Sequence, residues 1–193
     1  MRVFIAVDLS EELRTKLAEI NNEFAELGLR GAVKFVDANQ AHQTVKFLGE
    51  VPEDGVEQVK RALAEISKKP FDIELRGVGF FPEASLDKVR TIRVIWVGIR
   101  KGAEELKALQ EDVEWALHDL GFPLEKRFSA HVTLCRVKRP LKSTEIGRIV
   151  KMIAELRDVY VGKMLVEELK LKKSTLTPKG PIYEDIYVKG LMG

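Results

Sequence analysis

The sequence has little of what disulfide-stabilised, membrane-spanning and DNA-coating proteins require. Cys135 is the single cysteine in 193 residues, so no disulfide can form within the chain, and a reducing, cytoplasmic location is expected. No apolar run approaches the about 20 residues of a membrane-spanning helix, and the first residues lack the pattern of a signal peptide. Basic and acidic residues nearly balance, at 32 and 30. Any nucleic acid is therefore expected to bind at a local patch.

The residues that are present predict a globular α+β chain. Hydrophobic residues make up 45% and charged residues 32% of the sequence, which is typical of a folded domain. Met1–Leu9 is rich in β-branched residues and predicts a strand, and Ser10 is a candidate N-cap for a helix with an apolar stripe over Leu13–Leu27. Six further strands, one of them over Val159–Leu171, and three further helices are predicted by the same criteria along the rest of the chain.

The two halves of the chain have the same predicted order, strand–helix–strand–helix–strand. Arg93 follows Arg2 by 91 residues, and His131 follows His42 by 89. Recurring elements also occur in unrelated α+β chains, but the near-constant offset favours an internal duplication of residues 1–82 and 91–178. We therefore expect a single domain of residues 1–193 with two pseudo-symmetric lobes and a central cleft between them.

Two of the three histidines open the same short pattern, His-x-Thr, at equivalent points of this repeat. Side chains at positions i and i+2 of a strand share a face, so His42 lies beside Thr44 and His131 beside Thr133. Imidazole titrates near neutral pH, which lets one ring give a proton while the other takes one. The threonine hydroxyls can donate to phosphate oxygens. The pattern predicts a two-histidine site for phosphoester chemistry without a metal or other cofactor.

Three neighbouring residues are further candidates for binding substrate. Lys46 continues the alternation of His42 and Thr44 and is expected to face the cleft, and Arg136 ends the second motif; either could pair with phosphate. Phe47 could stack on a base if the strand twists or bulges, because simple alternation turns it away from His42.

A metal site is the alternative interpretation of these residues. By alternation Cys135 shares a face with His131, but zinc sites need three or four ligands and the sequence offers no closely spaced third one. Trp96 and Trp115 lie in apolar patterns and are expected in the core.

The two motif segments, AHQTVKFLGE and RFSAHVTLCR, resemble the His-x-Thr-x motifs of the 2H phosphoesterase superfamily. The nearest resemblance is to the RNA 2′,3′-cyclic phosphodiesterases, also called 2′-5′ RNA ligases. It extends to RVFIAVDLSEEL, RVIWVGI and STLTPKGPIYEDI and thus covers nearly the whole chain. It implies a bilobal fold with two antiparallel sheets flanking a cleft and helices outside.

The resemblance also implies roles for the candidate residues. His42 would donate a proton to the leaving 3′-oxygen, His131 would accept one from water, and Thr44 and Thr133 would hold the phosphate. Arg136 and Phe47 match the family's arginine and aromatic residue after the two motifs.

The implied substrates are RNA with 2′,3′-cyclic phosphate ends or small cyclic nucleotides, with no membrane and no obligate protein partner. Joining of tRNA halves by a 2′-5′ linkage and non-catalytic nucleotide binding remain the alternatives.

Overall fold

The structure, a computed structural model, describes residues 1–29 and 31–193. Within these ranges the chain forms four helices and nine strands. The helices are α1 (Glu11–Ala25), α2 (Glu53–Ala64), α3 (Ala103–His118) and α4 (Ser143–Glu155). The strands are β1 (Arg2–Asp8), β2 (Val33–Phe35), β3 (His42–Glu50), β4 (Phe71–Phe81), β5 (Val94–Ile99), β6 (His131–Val137), β7 (Tyr160–Val166), β8 (Glu168–Thr177) and β9 (Gly180–Gly190). No helix within the described ranges is both long and apolar enough to cross a bilayer.

The strands form two antiparallel sheets, as expected. One sheet has the order β3-β1-β8-β9 and the other the order β2-β6-β5-β4-β7. The sheets do not correspond to the two sequence repeats, because β4 of the first repeat pairs with β5 and β8 of the second repeat pairs with β1. Each sheet is therefore built from both halves of the chain. The backbone passes from one sheet to the other several times.

One face of each sheet packs in the hydrophobic core, and the other face carries a motif histidine. On β1, Val3, Ile5 and Val7 belong to the continuous hydrophobic core, together with the apolar stripe of α1. Phe4 and Asp8 alternate with them and so point to the opposite face. We call this opposite face of each sheet its cleft face, since it carries the two motif histidines.

Three details of the fold differ from the sequence predictions. The short strand β2 was not predicted, because three residues are too few to show a period. The single strand expected over Val159–Leu171 is two strands, since β7 pairs with β4 and β8 pairs with β1, so the chain changes sheets at Glu167. Trp115 is 64% exposed on α3 rather than in the core.

Candidate active site

The first motif lies on β3, which contains a bulge directly after Thr44. Ala6 of β1 lies opposite Thr44, but the next residue of β1, Ile5, lies opposite Lys46, so Val45 is the extra residue. A bulge reverses the alternation that follows it. Phe47 is therefore on the cleft face with His42, where it contacts Phe4 with 6.0 Å between ring centroids and is 71% exposed.

The second motif, on β6, has the same bulge at the equivalent position. Trp96 of β5 lies opposite Thr133 and Ile95 lies opposite Cys135, which leaves Leu134 as the extra residue. The burial pattern of the first seven residues is identical in the two strands. Arg136 thus occupies the position of Phe47 and is exposed on the cleft face.

The expectation that Lys46 faces the cleft is wrong, because the bulge turns its side chain to the core face. Lys46 is 6% exposed and its ammonium donates to the Glu114 carboxylate of α3 at 2.7 Å and to the Pro123 carbonyl at 2.8 Å. A side chain engaged in this way cannot also hold substrate. Cys135, the equivalent residue of β6, is likewise buried away from His131.

The Lys46–Glu114 ion pair holds the segment of chain that precedes the second motif. The Glu125 amide donates to the Glu114 carboxylate at 2.9 Å, and the Gln110 side chain donates to the Glu125 carbonyl at 3.3 Å. These contacts connect β3 to the segment that leads into His131. The first motif strand thereby helps to position the second.

The His42 ring is held at both nitrogens. Nδ1 donates to the Gln40 carbonyl at 2.8 Å, because a carbonyl only accepts, and Nε2 lies 3.1 Å from the Thr44 hydroxyl. Phe4 and Tyr183 pack against the ring, with centroid distances of 5.1 and 5.3 Å. Nε2 is therefore the nitrogen that gains or loses a proton.

Burial lowers the pKa of His42, while the Gln40 carbonyl and then the Asp8 carboxylate act to raise it. Asp8 is itself surrounded by cations. Its carboxylate lies 3.0 Å from the ammonium groups of Lys170 and Lys172, which also pair with Asp185. Lys172 acts more weakly on His42, in the opposite direction to Asp8.

The His131 ring has a different environment. It packs against Phe81 and Trp96, with centroid distances of 5.1 and 6.0 Å. Its Nδ1 is buried with no hydrogen-bond partner among the described residues, although the Ser129 carbonyl, equivalent to that of Gln40, is close enough to raise the pKa of the ring. Burial is the larger effect and lowers the pKa of His131, and the positive charge of Arg136 lowers it further.

Two observations show that the motif strands lie close to each other. The Gln43 side chain, next to His42, donates to the Ser129 carbonyl at 3.5 Å, two residues before His131. The charge of Arg136 acts on both His131 in one sheet and Tyr183 in the other. The two motif strands are therefore neighbours, and on each the exposed residue after the bulge, Phe47 or Arg136, shares a face with the histidine and threonine.

Sequence reasoning missed three residues of this site. Gln40 acts through its main-chain carbonyl, so no pattern of side chains in the sequence predicts its role. Asp8 is the last residue of β1 and lies opposite His42. Tyr183 of β9 contacts the His42 ring although it follows His42 by 141 residues in the sequence. Only the fold places these two beside the first motif.

The described residues contain no group of three or more His, Cys, Asp or Glu side chains arranged to hold a metal ion. Cys135 in particular is a poor ligand, because burial raises the pKa of its thiol to about 12.

Comparison with known proteins gives the family. The model of a family described as LigT like Phosphoesterase matches the chain twice, over residues 7–92 and 97–183. The chain belongs to this phosphoesterase family. The two matched segments begin 90 residues apart, close to the offset between the motif histidines.

Relatives of this LigT-like phosphoesterase align over nearly its whole length. An RNA 2′,3′-cyclic phosphodiesterase of Archaeoglobus fulgidus is 39% identical over 97% of this chain and 99% of its own. That of Methanothermobacter thermautotrophicus is 36% identical over 97% of each chain.

Solved structures show the same fold. A Thermus thermophilus protein of 30% identity superposes with a TM-score of 0.76 over 100% of this chain and 99% of its own. Escherichia coli LigT complexed with 3′-AMP, at 22% identity, has a TM-score of 0.75 over 100% of this chain and 98% of its own.

Proposed function

We propose that this phosphoesterase hydrolyses 2′,3′-cyclic phosphate ends of RNA to 2′-phosphomonoesters, using His42 and His131 and no metal ion. The observation that carries the proposal is the pair of His-x-Thr strands with matching bulges, which the Gln43–Ser129 hydrogen bond connects. The activity in the names of full-length relatives at 36% and 39% identity supports the substrate class.

In the proposed reaction His131 accepts a proton from water as the water oxygen attacks phosphorus. The bond from phosphorus to the 3′-oxygen breaks, and Nε2 of His42 gives its proton to that oxygen. The product carries a 2′-phosphate and a free 3′-hydroxyl. Solvent then returns the proton from His131 to His42, which restores the starting state.

The charges around the two rings support this assignment of acid and base. The acid must hold a proton before the reaction, and the Asp8 carboxylate stabilises the His42 imidazolium, whereas no carboxylate among the described residues acts on His131. The base must start neutral, and Arg136 disfavours the His131 imidazolium. Without these neighbours the pseudo-symmetric motifs would give no reason to prefer either histidine as the acid.

The remaining cleft residues would bind the substrate. The hydroxyls of Thr44 and Thr133 would donate to the non-bridging phosphate oxygens, and Arg136 would balance the charge that develops on them. Phe47 and Tyr183, on the side of the proposed acid, would contact the terminal nucleoside, since that side also receives the leaving oxygen.

The proposal is tested with an oligonucleotide that ends in a 2′,3′-cyclic phosphate, with and without a partner that has a 5′-hydroxyl. We expect a 2′-phosphate product in both mixtures and no loss of rate in excess chelator. Joined 2′-5′ product without hydrolysis would make ligation the function instead. Loss of activity in chelator would contradict the metal-free mechanism, and binding without turnover would indicate a nucleotide-binding module.

A further inference from the structure

Two cations lie side by side on the cleft face next to the second motif. Lys34 of β2 is directly opposite Arg136 of β6 in the antiparallel register, and both side chains are exposed. Residues directly opposite each other in an antiparallel pair project from the same face. Like charges in this position repel each other and destabilise the pair of strands. A bound anion between the two side chains would offset that repulsion.

No acidic side chain neutralises this pair. Within residues 1–29 and 31–193 neither Lys34 nor Arg136 forms a salt bridge. On the side of the first motif, by contrast, Lys170 and Lys172 pair with Asp8 and Asp185. Two neighbouring cations without a salt bridge therefore lie beside the second motif, where a bound anion would relieve their repulsion.

The position of the pair separates it from the reacting phosphate. Arg136 follows Thr133 by three residues along β6, which is about 10 Å in an extended strand and less across a bulge. Arg136 can reach back towards the phosphate held by Thr133, but Lys34 is one strand further out, at the edge of the sheet. Lys34 is thus placed for a second anion.

We propose that Lys34, next to Arg136, binds the internucleotide phosphate adjacent to the cyclic end, so that the enzyme prefers an RNA strand to a cyclic mononucleotide. This inference rests on the proposed function. The terminal nucleoside of an RNA strand carries the next phosphate on its 5′-oxygen, and two cations side by side on neighbouring strands match the charges of the reacting phosphate and of this linkage. Lys34 therefore determines specificity and has no part in proton transfer.

The test compares two substrates with the same terminal nucleoside, a 2′,3′-cyclic mononucleotide and a trinucleotide with the same cyclic end. For the wild type we expect a higher kcat/KM on the trinucleotide. Lys34→Gln should lower the trinucleotide-to-mononucleotide ratio by about five- to tenfold in about 50 mM salt and flatten the log–log salt dependence on the trinucleotide by about 0.7. Lys34→Arg should keep the ratio, and Lys151→Gln, which removes an exposed charge from α4, is the matched control.

A trinucleotide with an uncharged methylphosphonate at its last internucleotide linkage identifies the phosphate. The wild type should lose its preference on this substrate, and Lys34→Gln should cause no further loss. An unchanged ratio in Lys34→Gln, or an equal loss with the charged and uncharged linkages, would overturn the inference. Self-association of Lys34→Gln with an unchanged ratio would instead assign Lys34 to protecting the sheet edge. If the wild type hydrolyses neither substrate, the proposed function itself fails.

Discussion

The motif strands β3 and β6 have the same backbone but present different side chains beyond their threonines. Both begin with His-x-Thr, and both bulge after the threonine. The next cleft residue is Phe47 on β3 and Arg136 on β6, and the next core residue is Lys46 on β3 and Cys135 on β6. The two strands are thus alike where they meet the phosphate and unlike elsewhere.

The shared residues account for the type of chemistry, and the residues that differ bear on which histidine is the acid. Two equivalent His–Thr pairs can flank one phosphorus, but equivalence alone would let the reaction use either histidine as the acid. The Asp8 carboxylate favours a charged ring at His42 and Arg136 favours a neutral ring at His131, while the Gln40 and Ser129 carbonyls act alike on the two rings. Divergence around a duplicated motif is therefore the basis on which we propose His42 as the proton donor and His131 as the proton acceptor.

The largest expected effect comes from removing either ring. His42→Ala and His131→Ala should each lower kcat on the cyclic substrate by about 10²–10⁴-fold, because each removes one proton-transfer partner. His118→Ala is the matched control, since this third histidine is exposed on α3 and contacts Trp115 rather than the cleft. Rates are measured under single-turnover conditions. Near-normal turnover in either cleft variant would rule out a mechanism that needs two histidines.

The core positions after the bulge should differ strongly in stability. Lys46→Met leaves the Glu114 carboxylate buried without its cation and should lower the free energy of unfolding by about 3–5 kcal/mol. Adding Glu114→Gln removes the unpaired charge and keeps an acceptor for the Glu125 amide, so the double variant should recover part of the loss.

Cys135→Ala at the equivalent position of β6 should cost only about 1 kcal/mol. Urea unfolding measures all three variants. If Lys46→Met lowers the free energy of unfolding no more than Cys135→Ala does, the buried Lys46–Glu114 pair is not important for the stability of the protein.

A smaller effect is expected on the titration of the rings. Arg136→Gln removes a charge that lowers the pKa of His131, so the pKa of His131 should rise while that of His42 stays unchanged. Since the base must be neutral, the rising limb of kcat/KM should move to higher pH. Lys138→Gln removes a charge two residues away as a control, and the histidine ring resonances followed by NMR report each pKa. An equal change at both rings would contradict the proposed asymmetry.

The pH profile of the wild type follows from the same shifts. Both histidine pKa values are lowered by burial from the usual value of about 6.5. The maximum of a bell-shaped kcat/KM profile lies midway between the two governing pKa values, so it should fall on the acid side of pH 6.5. A maximum on the alkaline side would show that other groups govern the reaction.

Much of this site follows from the sequence, because His-x-Thr spacing and strand alternation both act over two residues. They place His42 with Thr44 and His131 with Thr133 without knowledge of the fold. Alternation fails two residues after Thr44, where the bulge turns Lys46 inward and Phe47 outward. Nothing local marks that bulge, since the partner that makes a buried Lys46 tolerable, Glu114, is 68 residues away.

The exchange of β4 and β8 between the sheets is equally invisible to a search for repeats. A sequence repeat shows which segments are equivalent, but the hydrogen bonding between strands determines which segments form one sheet. Lys34 shows the same limit, because it joins the cleft only through the three-residue strand β2.

The most direct test of the central claim, that His42 is the acid and His131 the base, uses a cyclic substrate whose leaving 3′-oxygen is replaced by sulfur. A thiolate leaves without help from a general acid, because thiols have a pKa of about 8.5. The account predicts that His42→Ala recovers to within about tenfold of the wild-type rate on this substrate, while His131→Ala stays as impaired as on the oxygen substrate. Recovery of His131→Ala in place of His42→Ala would reverse the assignment, and recovery of neither would contradict proton donation by a histidine.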